Sequence, residues 1–539
     1  MHTHWNHQNK RRNVFLYAAS VVAPGAANLT EFLSLIEKGK SSLSFKKSFS
    51  NLFLEGVPKF DFSVYKHWLT ARHGPKRYTL LNEKSGDLVK YSVGSFIDAL
   101  SSCPGLERAL KALDPRLTIQ YANGLGDLPI IFQAAREKDA GFFEWNAFWA
   151  HPSRNEAHQS FLEGRASFPD LPCQPPHSFP VDSFQRHEAL GIWNDYWAQK
   201  SSLLAAYLEQ LKTIEQQVVT GQDIELAKLA LIRSKTKARK ALLEEYQCPT
   251  PPWECVSPNL LWNVPNVSPA QISMLLELHG VSTGFAGACA SFGTLLDNAL
   301  LEIHSGRTDV AIIGATDATP SCELISAFYN GRLAVLGDHS LPFCDLRGTH
   351  ISGGACTWIL GAQDALEPFD VEPLPVQILG AGVSSDGEHI ITPSREGPKL
   401  AIKRALHSAQ ISSQDIHAWD MHATGTPGDW NEFMLIEDLV PKSAYISARK
   451  GIFGHGMSAS GGWELTAQLL GAKRTSHQTY LLPSSGIDPQ KVNPKIAALG
   501  RRLLLNESVE VLAPHQGLIC GKLSMGLGGT SSCVFAKIG

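Results

Sequence analysis

The chain has 539 residues, 43% of them apolar, which is enough to bury a large core; at about 150 residues per domain the length predicts three or four compact units unless they fuse into a larger fold. Lys and Arg total 48 against 51 Asp and Glu, and the net charge of -3 removes any global electrostatic reason to expect nucleic acid or an anionic membrane as partner. The ten cysteines form no CxxC pair, the opening residues lack an apolar core, and no uncharged run approaches the ~18 residues of a membrane span, so the sequence reads as reduced, soluble and cytoplasmic, without a metal site.

In chain order, Asn13 to Val22 is an apolar, β-branched run that stops at Pro24-Gly25 and predicts a buried strand. In the helix expected next, Thr30 is the cap, Phe32, Leu33, Leu35 and Ile36 form the apolar side, and Gly39 ends it. Weaker signals predict a helix from Val93 to Leu100 and a strand from Leu117 to Tyr121, ahead of Gly124-Leu125-Gly126. Composition then changes over residues 141–253. Pro, His and Trp crowd its first part, and proline is absent from Val181 to Cys248. Leu190, Trp193, Trp197, Leu204, Tyr207, Leu208 and Leu211 recur at helical spacing, Gly221 interrupts, and Leu226, Leu229 and Ile232 resume, which predicts an inserted hairpin of two helices. Its second arm carries Arg233, Lys235, Lys237, Arg239 and Lys240, readable as a solvated face or as a docking surface for an acidic partner. From Asn263 onward, strands such as Val310 to Ile313 and Val376 to Leu379 alternate with helices and glycine-rich turns, the pattern of an α/β sandwich.

Four segments carry possible chemistry. Gly287-Ala288-Cys289-Ala290-Ser291-Phe292-Gly293 runs into Leu295, Leu296, Ala299, Leu300 and Ile303, which places Cys289 at the start of a buried helix. Amides at a helix N-terminus favour a thiolate and stabilise an oxyanion formed beside it. Taken alone, such a cysteine is more often a small core residue. Asp420-Met421-His422-Ala423-Thr424-Gly425-Thr426-Pro427-Gly428-Asp429 and Lys450-Gly451-Ile452-Phe453-Gly454-His455-Gly456 each hold a histidine in a loop of small residues, and no spacing suggests metal ligation. Neutral imidazole N–H groups can instead donate to an enolate or thioester oxygen, and Lys450 and Glu464 are candidates to fix the tautomers. Ser524-Met525-Gly526-Leu527-Gly528-Gly529-Thr530-Ser531 is glycine-rich enough for its backbone to approach a ligand, and it is not a phosphate loop.

Collectively, and in this order, these segments resemble the β-ketoacyl synthase family of the thiolase-like fold. Cys289 fits the nucleophile motif, His422 an HGTGT-type motif written here as HATGT, and Lys450 with His455 the K-x4-H motif, followed by Glu464 nine residues on. Agreement also runs through Arg11 to Gly39, Asn266 to Ser282, Gly306 to Ala318, Pro342 to Asp345, and Ser385-Asp386 with His389 and Pro393. The resemblance implies a five-layered αβαβα sandwich of two similar halves: residues 11–140 and 254–370 form the first, residues 371–539 the second, and residues 141–253 the inserted helical region. It implies an acyl group loaded on Cys289 from an acyl carrier protein, condensation with malonyl carrier supported by His422 and His455, and an oxyanion hole from the backbone N–H groups of Cys289 and Leu527. Thr424, Thr426, Met525 and Leu527 are then the residues that meet the phosphopantetheine arm. No cofactor of the chain's own is implied, since that arm arrives on the carrier, and the assembly is a homodimer or a heterodimer.

The sequence also departs from the family. Arg347-Gly348-Thr349-His350-Ile351-Ser352-Gly353-Gly354-Ala355 loses the two acidic residues of the usual R-D-G-F-V-x-G-E-G segment, the HATGT loop is one residue short before Asp429, Phe453 replaces a Thr, and Met525 and Leu527 replace two phenylalanines. The central segment exceeds the family's usual length by roughly eighty to ninety residues, far beyond the length at which a loop is normally functional or separately folded. Three alternatives stay open to test: acyl transfer without decarboxylation, a non-catalytic chain-length-type partner, and a thiolase. The thiolase reading lacks a second reactive Cys in the last turn.

Overall fold

The computed structural model describes residues 11–219, 224–388, 390, 394–474, 478–483, 487–512 and 517–539. His389, Pro393 and Gly221, named above, lie outside these residues, as does the side chain of Leu226. Contacts divide the chain into two compact units, one of residues 1–130 with 261–539 and one of residues 131–260, a wider span than the composition change at 141–253.

The larger unit is built on an eleven-stranded sheet whose two ends repeat one plan. The strands are β1 (Val14–Val22), β2 (Leu117–Ala122), β3 (Val281–Phe285), β4 (Val310–Asp317), β5 (Gly354–Ala362), β6 (Val376–Ser385), β7 (Ala418–Asp420), β8 (Tyr445–Ser447), β9 (Arg502–Leu503), β10 (Leu518–Met525) and β11 (Thr530–Ile538), in spatial order β9-β8-β7-β10-β11-β6-β1-β5-β4-β2-β3. In the first half, β1 and β5 are antiparallel, β5 and β4 antiparallel, and β4, β2 and β3 parallel. In the second half, β6, β11, β10, β7 and β8 follow the same order with the same directions. Among the described residues, the strands of the two halves pair where Val14 and Phe15 of β1 meet Ile378 and Gln377 of β6. A structural duplication is therefore present although no repeat is visible in the sequence.

Helices complete five layers. α1 (Asp87–Ser101) and α2 (Val267–Leu276) cover the outer face of the first half, and α4 (Glu396–Ala409), with α5 (Gly428–Ile436) beside it, covers that of the second. Between the halves, α3 (Ser291–His304) packs on β4 and β2 on one side and β6 and β11 on the other, and it touches α6 (Ser460–Leu470). β1, β4 and β5 are near-continuous apolar runs because both faces are covered. Gly39 ends the first helix, Leu29–Lys38, with φ +60° as the sequence predicts; its cap, however, is Asn28, whose side chain accepts from Glu31 N at 3.0 Å, not Thr30.

The smaller unit is helical and packs around aromatic rings. The predicted first arm is two helices, Phe184–Gln199 and Ser202–Glu215, because Ser201 caps a new start by accepting from Leu204 N. The second of these pairs with Ile224–Tyr246 as the hairpin, and two further helices, Leu128–Ala150 and Glu156–Leu162, precede them. Trp193, Trp197, Leu204 and Tyr207 of the predicted stripe are buried, whereas Leu190, Leu208, Leu229 and Ile232 stay exposed. Trp145 meets Trp149 and Tyr207 edge to face at 5.3 and 5.4 Å, and His158 stacks on Trp197 at 4.5 Å. Much of the basic run on the last helix is spent locally: Lys235 pairs with Glu215, Arg239 with Glu215 and Glu254, and Lys240 with Glu244. These contacts favour the solvated-face reading over a docking surface.

Asn155 is the polar keystone of this unit. It is buried, donates to Trp149 O at 3.1 Å and Trp197 O at 2.6 Å, and its Oδ1 accepts from His158 N at 3.1 Å as the cap of Glu156–Leu162. Asn155→Ala removes all three bonds, takes a donor from the Trp149 carbonyl and leaves that of Trp197 with only the N–H of Lys200 at 3.0 Å; urea unfolding followed by tryptophan fluorescence is expected to show a loss of about 2–3 kcal/mol. A loss under about 0.5 kcal/mol would contradict this role for Asn155.

Candidate active site

The chemistry collects where equivalent loops of the two halves meet. After β3, the chain makes a single 3₁₀ turn, Ala288–Ala290, with Ala288 at φ +47°, and enters α3. After β8, it passes Lys450 and His455, makes a similar turn, Met457–Ala459, with Met457 at φ +50°, and enters α6. The His422 loop follows β7. Asp317, at the end of β4, ties the second of these turns to the glycine loop that follows β2 by accepting from Ser458 N and from Gly124 N, both at 2.8 Å.

One cavity of about 110 Å³ is lined by Cys289, His422, His455, Thr424, Thr426, Met525 and Leu527, with Phe328 and Leu333 as an apolar wall. The sequence-predicted nucleophile, both histidines, both threonines and both residues of the glycine-rich turn therefore share one space. The imidazoles of His422 and His455 lie 5.5 Å apart at 80°. Thr424 and Thr426 hydroxyls bond each other at 2.9 Å. Gly526 lies against the nucleophile turn: a Cβ there would stand 3.3 Å from Cys289 N and 2.9 Å from Gly287 O. This close approach directs the N–H of Leu527 at the Cys289 thiol.

Burial dominates the proton states. The Cys289 thiol is pushed up to about 12 by desolvation, against the pull of Lys450 and the Leu527 amide, so the turn's amides do not by themselves make a thiolate. Both imidazoles are held well below their ordinary value, first by burial and then by the ammonium groups of Lys450 and Lys522, which favours the neutral ring. Neither Nδ1 has a hydrogen-bond partner among the described residues. Lys450 and Glu464 consequently do not fix the tautomers as the sequence suggests. Lys450 Nζ donates to the backbone carbonyl of His422 at 2.5 Å and to Glu464, so the pair fixes the loop rather than the ring. His455 is held by its backbone too, donating to His350 O at 2.7 Å and accepting from Ser352 N at 2.9 Å.

Several residues of the site escape the motifs. Glu432, on α5, accepts from the amides of His422 and Ala423 at 2.8 and 3.0 Å, and burial pushes it up to about 7. Asp429 accepts from Thr424 N at 2.8 Å and Phe343 N at 3.1 Å. Asp420 takes Arg449, and Lys522 bridges Asp420 and Glu464 at 3.4 and 2.8 Å. The available signal was a charge inside an apolar strand, Lys522 within Leu518–Met525. The loss of an acidic residue at Gly354 has a steric reason, since a Cβ there would stand 2.2 Å from Val22 O and 2.7 Å from the buried indole of Trp463.

A family model described as beta-ketoacyl synthase, N-terminal domain, matches residues 218–361, and one described as beta-ketoacyl synthase, C-terminal domain, matches residues 376–479. The chain is similar to Nodulation protein E of Rhizobium meliloti, 29% identical over 209 residues that make up 38% of this chain and 52% of the relative. It is also similar to the 3-oxoacyl-[acyl-carrier-protein] synthase 2 of Staphylococcus aureus, 27% identical over 221 residues, 39% of this chain and 55% of that one. The chain thus spans about half the length of the curated relatives it matches. Among solved structures, the ishigamide ketosynthase/chain length factor shares the fold, with a TM-score of 0.64 at 17% identity over 98% of this chain and 100% of that one. With both family domains matched in order around Cys289, His422 and His455, the chain belongs to the beta-ketoacyl synthase family.

Proposed function

We propose that the protein is an acyltransferase of the condensing type, a β-ketoacyl-acyl-carrier-protein synthase of fatty acid or polyketide synthesis. The observation that carries this reading is the single cavity in which the Cys289 thiol faces two neutral imidazoles. In the first half-reaction, the Cys289 sulfur attacks the thioester of an acyl carrier, the carrier's pantetheine thiol leaves, and the acyl group stays on sulfur. In the second, malonyl carrier loses carbon dioxide, and the enolate oxygen accepts hydrogen bonds from the imidazole N–H groups of His422 and His455. The enolate carbon then attacks the Cys289 thioester, the tetrahedral oxyanion sits in the backbone N–H groups of Cys289 and Leu527, and the C–S bond breaks to return the thiol. Imidazoles that cannot become charged suit this task, because a neutral donor stabilises an enolate without protonating it. Thr424, Thr426, Met525 and Leu527 meet the incoming phosphopantetheine, which arrives on the carrier, so the chain needs no cofactor of its own.

We also infer a dimer formed through β3. Among the described residues this strand pairs only with β2, its side chains are exposed, and its free edge offers unsatisfied backbone groups that a second chain can complete. A second copy is the simpler occupant. The ishigamide ketosynthase/chain length factor, which shares the fold, makes a heterodimer the other. Among the described residues no helix is long and apolar enough to cross a membrane. All ten cysteines are free, which supports a cytoplasmic location.

Three measurements test these readings. Incubated with acyl carrier and then malonyl carrier, the parent protein is expected to gain the acyl mass at Cys289, extend it and release carbon dioxide. Cys289→Ala abolishes loading, whereas His422→Ala and His455→Ala load and extend at least about 100-fold more slowly. Loading of Cys289→Ala, or loading of the parent without extension, overturns condensation, the second in favour of simple acyl transfer. Because the thiol is raised to about 12, the iodoacetamide alkylation rate at Cys289 is expected to climb about tenfold per pH unit from pH 7 through at least pH 10. A plateau near pH 9 would show an ordinary thiol. In sedimentation, Thr283→Pro, which removes an amide donor from β3, converts the dimer to monomer; a parent that is itself monomeric refutes the pairing.

A further inference from the structure

One charged side chain at the heart of the site has no part in the motifs or in the reaction scheme above. Lys522 projects from β10 out of an otherwise apolar run and is 1% exposed. Its ammonium faces Leu523 O at 2.8 Å, Glu464 Oε2 on α6 at 2.8 Å, Met421 O at 3.1 Å and Asp420 Oδ1 at 3.4 Å. Of the three donors of the ammonium, two bond the carbonyls of Met421 and Leu523, and Glu464 and Asp420 balance its charge as ion pairs. Lys522 does not line the cavity, so it is not placed to touch substrate.

What Lys522 holds gives it its role. Two consecutive carbonyls of the His422 loop are each gripped by an ammonium, that of Met421 by Lys522 and that of His422 by Lys450. Glu464 joins the two ammonium groups, using one carboxylate oxygen for each. Lys522 also binds the carbonyl of Leu523, two residues before Met525 and four before Leu527, the amide of which points at Cys289. One ammonium on β10 therefore grips the His422 loop and the carbonyl of the next residue of its own strand, which leads into the glycine-rich turn. Burial pulls Lys522 down, but Glu464 and then Asp420 outweigh it and raise the group above its ordinary value, whereas Lys450, more penalised by burial than it is favoured by Glu464, is lowered from its own.

We propose that Lys522 is a positioning residue for this site, a tethered cation that fixes the His422 loop and the glycine-rich turn at the spacing on which donation to the Cys289 thioester depends. This rests on the condensation reading.

The test uses two variants of the full chain. Lys522→Met keeps the length and removes the charge and the donors, and Lys522→Ala leaves a space that added propylammonium can refill. Lys522→Met is expected to load Cys289 within about threefold of the parent and to extend at least about 100-fold more slowly. Hydrogen exchange, read by mass spectrometry, speeds up over residues 420–426 and 523–530 and not across the rest of the sheet. Propylammonium restores extension at least about tenfold in Lys522→Ala and not in Lys522→Met. Extension by Lys522→Met at the parental rate overturns the proposal. So does a collapse of loading, extension and exchange protection together, which marks a residue needed only for folding. If the parent loads but never extends, the condensation reading fails by itself, and exchange alone decides: faster exchange confined to the two segments upholds Lys522 as the positioning residue, and unchanged exchange there overturns it.

Discussion

The site depends on a buried ionic network. Arg449, Lys450 and Lys522 face Asp420 and Glu464 at the junction of β7, β10 and α6, and none of the five is more than 3% exposed. Ions taken out of water are tolerated only when each is paired and its remaining donors and acceptors are satisfied, and removing one partner of such a set typically costs about 3–5 kcal/mol. The network therefore acts as a lock with little tolerance. It pins the ends of two strands and the start of a helix, and the catalytic loops leave from those ends. Gly454, Gly456, Gly461 and Gly462 let the His455 loop and the start of α6 pack closely on their neighbours; a Cβ at Gly454 would already stand 2.8 Å from His350 O.

The same burial sets the chemistry. In a solvated site a histidine titrates near neutrality and a thiol a few units above it. Here the low local dielectric, reinforced by two ammonium groups, keeps both imidazoles uncharged, and the same burial keeps the thiol protonated against the pull of Lys450. The nucleophile is thus not stored as a thiolate. Its activation belongs to the moment when a thioester carbonyl occupies the cavity and the amides of Cys289 and Leu527 acquire an oxygen to stabilise. Resting inertness and poised donors follow from one physical cause, the exclusion of water.

The helical unit of residues 131–260 is held together in another way. Its interior is a stack of indole and phenol rings organised by one asparagine, and its basic helix is largely neutralised by its own glutamates. Aromatic burial supplies area at low entropic cost, which suits a small unit that has no sheet of its own.

Much of this was legible in advance. The apolar runs of β1, β4 and β6, the helix after Cys289, and the three loops that carry Cys289, His422 and His455 could be read from residue type and spacing, because local pattern fixes strands, helices and tight turns. The Asn28 cap and the break at Ser201 were missed for a local reason, since several Ser, Thr and Asn residues compete for each helix start and only the realised backbone selects one. The duplication of the halves lay hidden because strand order is a property of pairing between distant segments, and the two copies share directions and turns without sharing residues. Lys522 and Glu432 are silent in the sequence, and Asp429 stands at the end of the His422 segment without a legible role, because a charge is informative only once its surroundings are known. The sequence by itself determined which groups could do chemistry and on which kinds of loop they sit; tertiary structure alone decided that they share one dry cavity, which charges stand behind them and therefore which protons they keep, because desolvation and pairing are set by neighbours that lie up to hundreds of residues away along the chain.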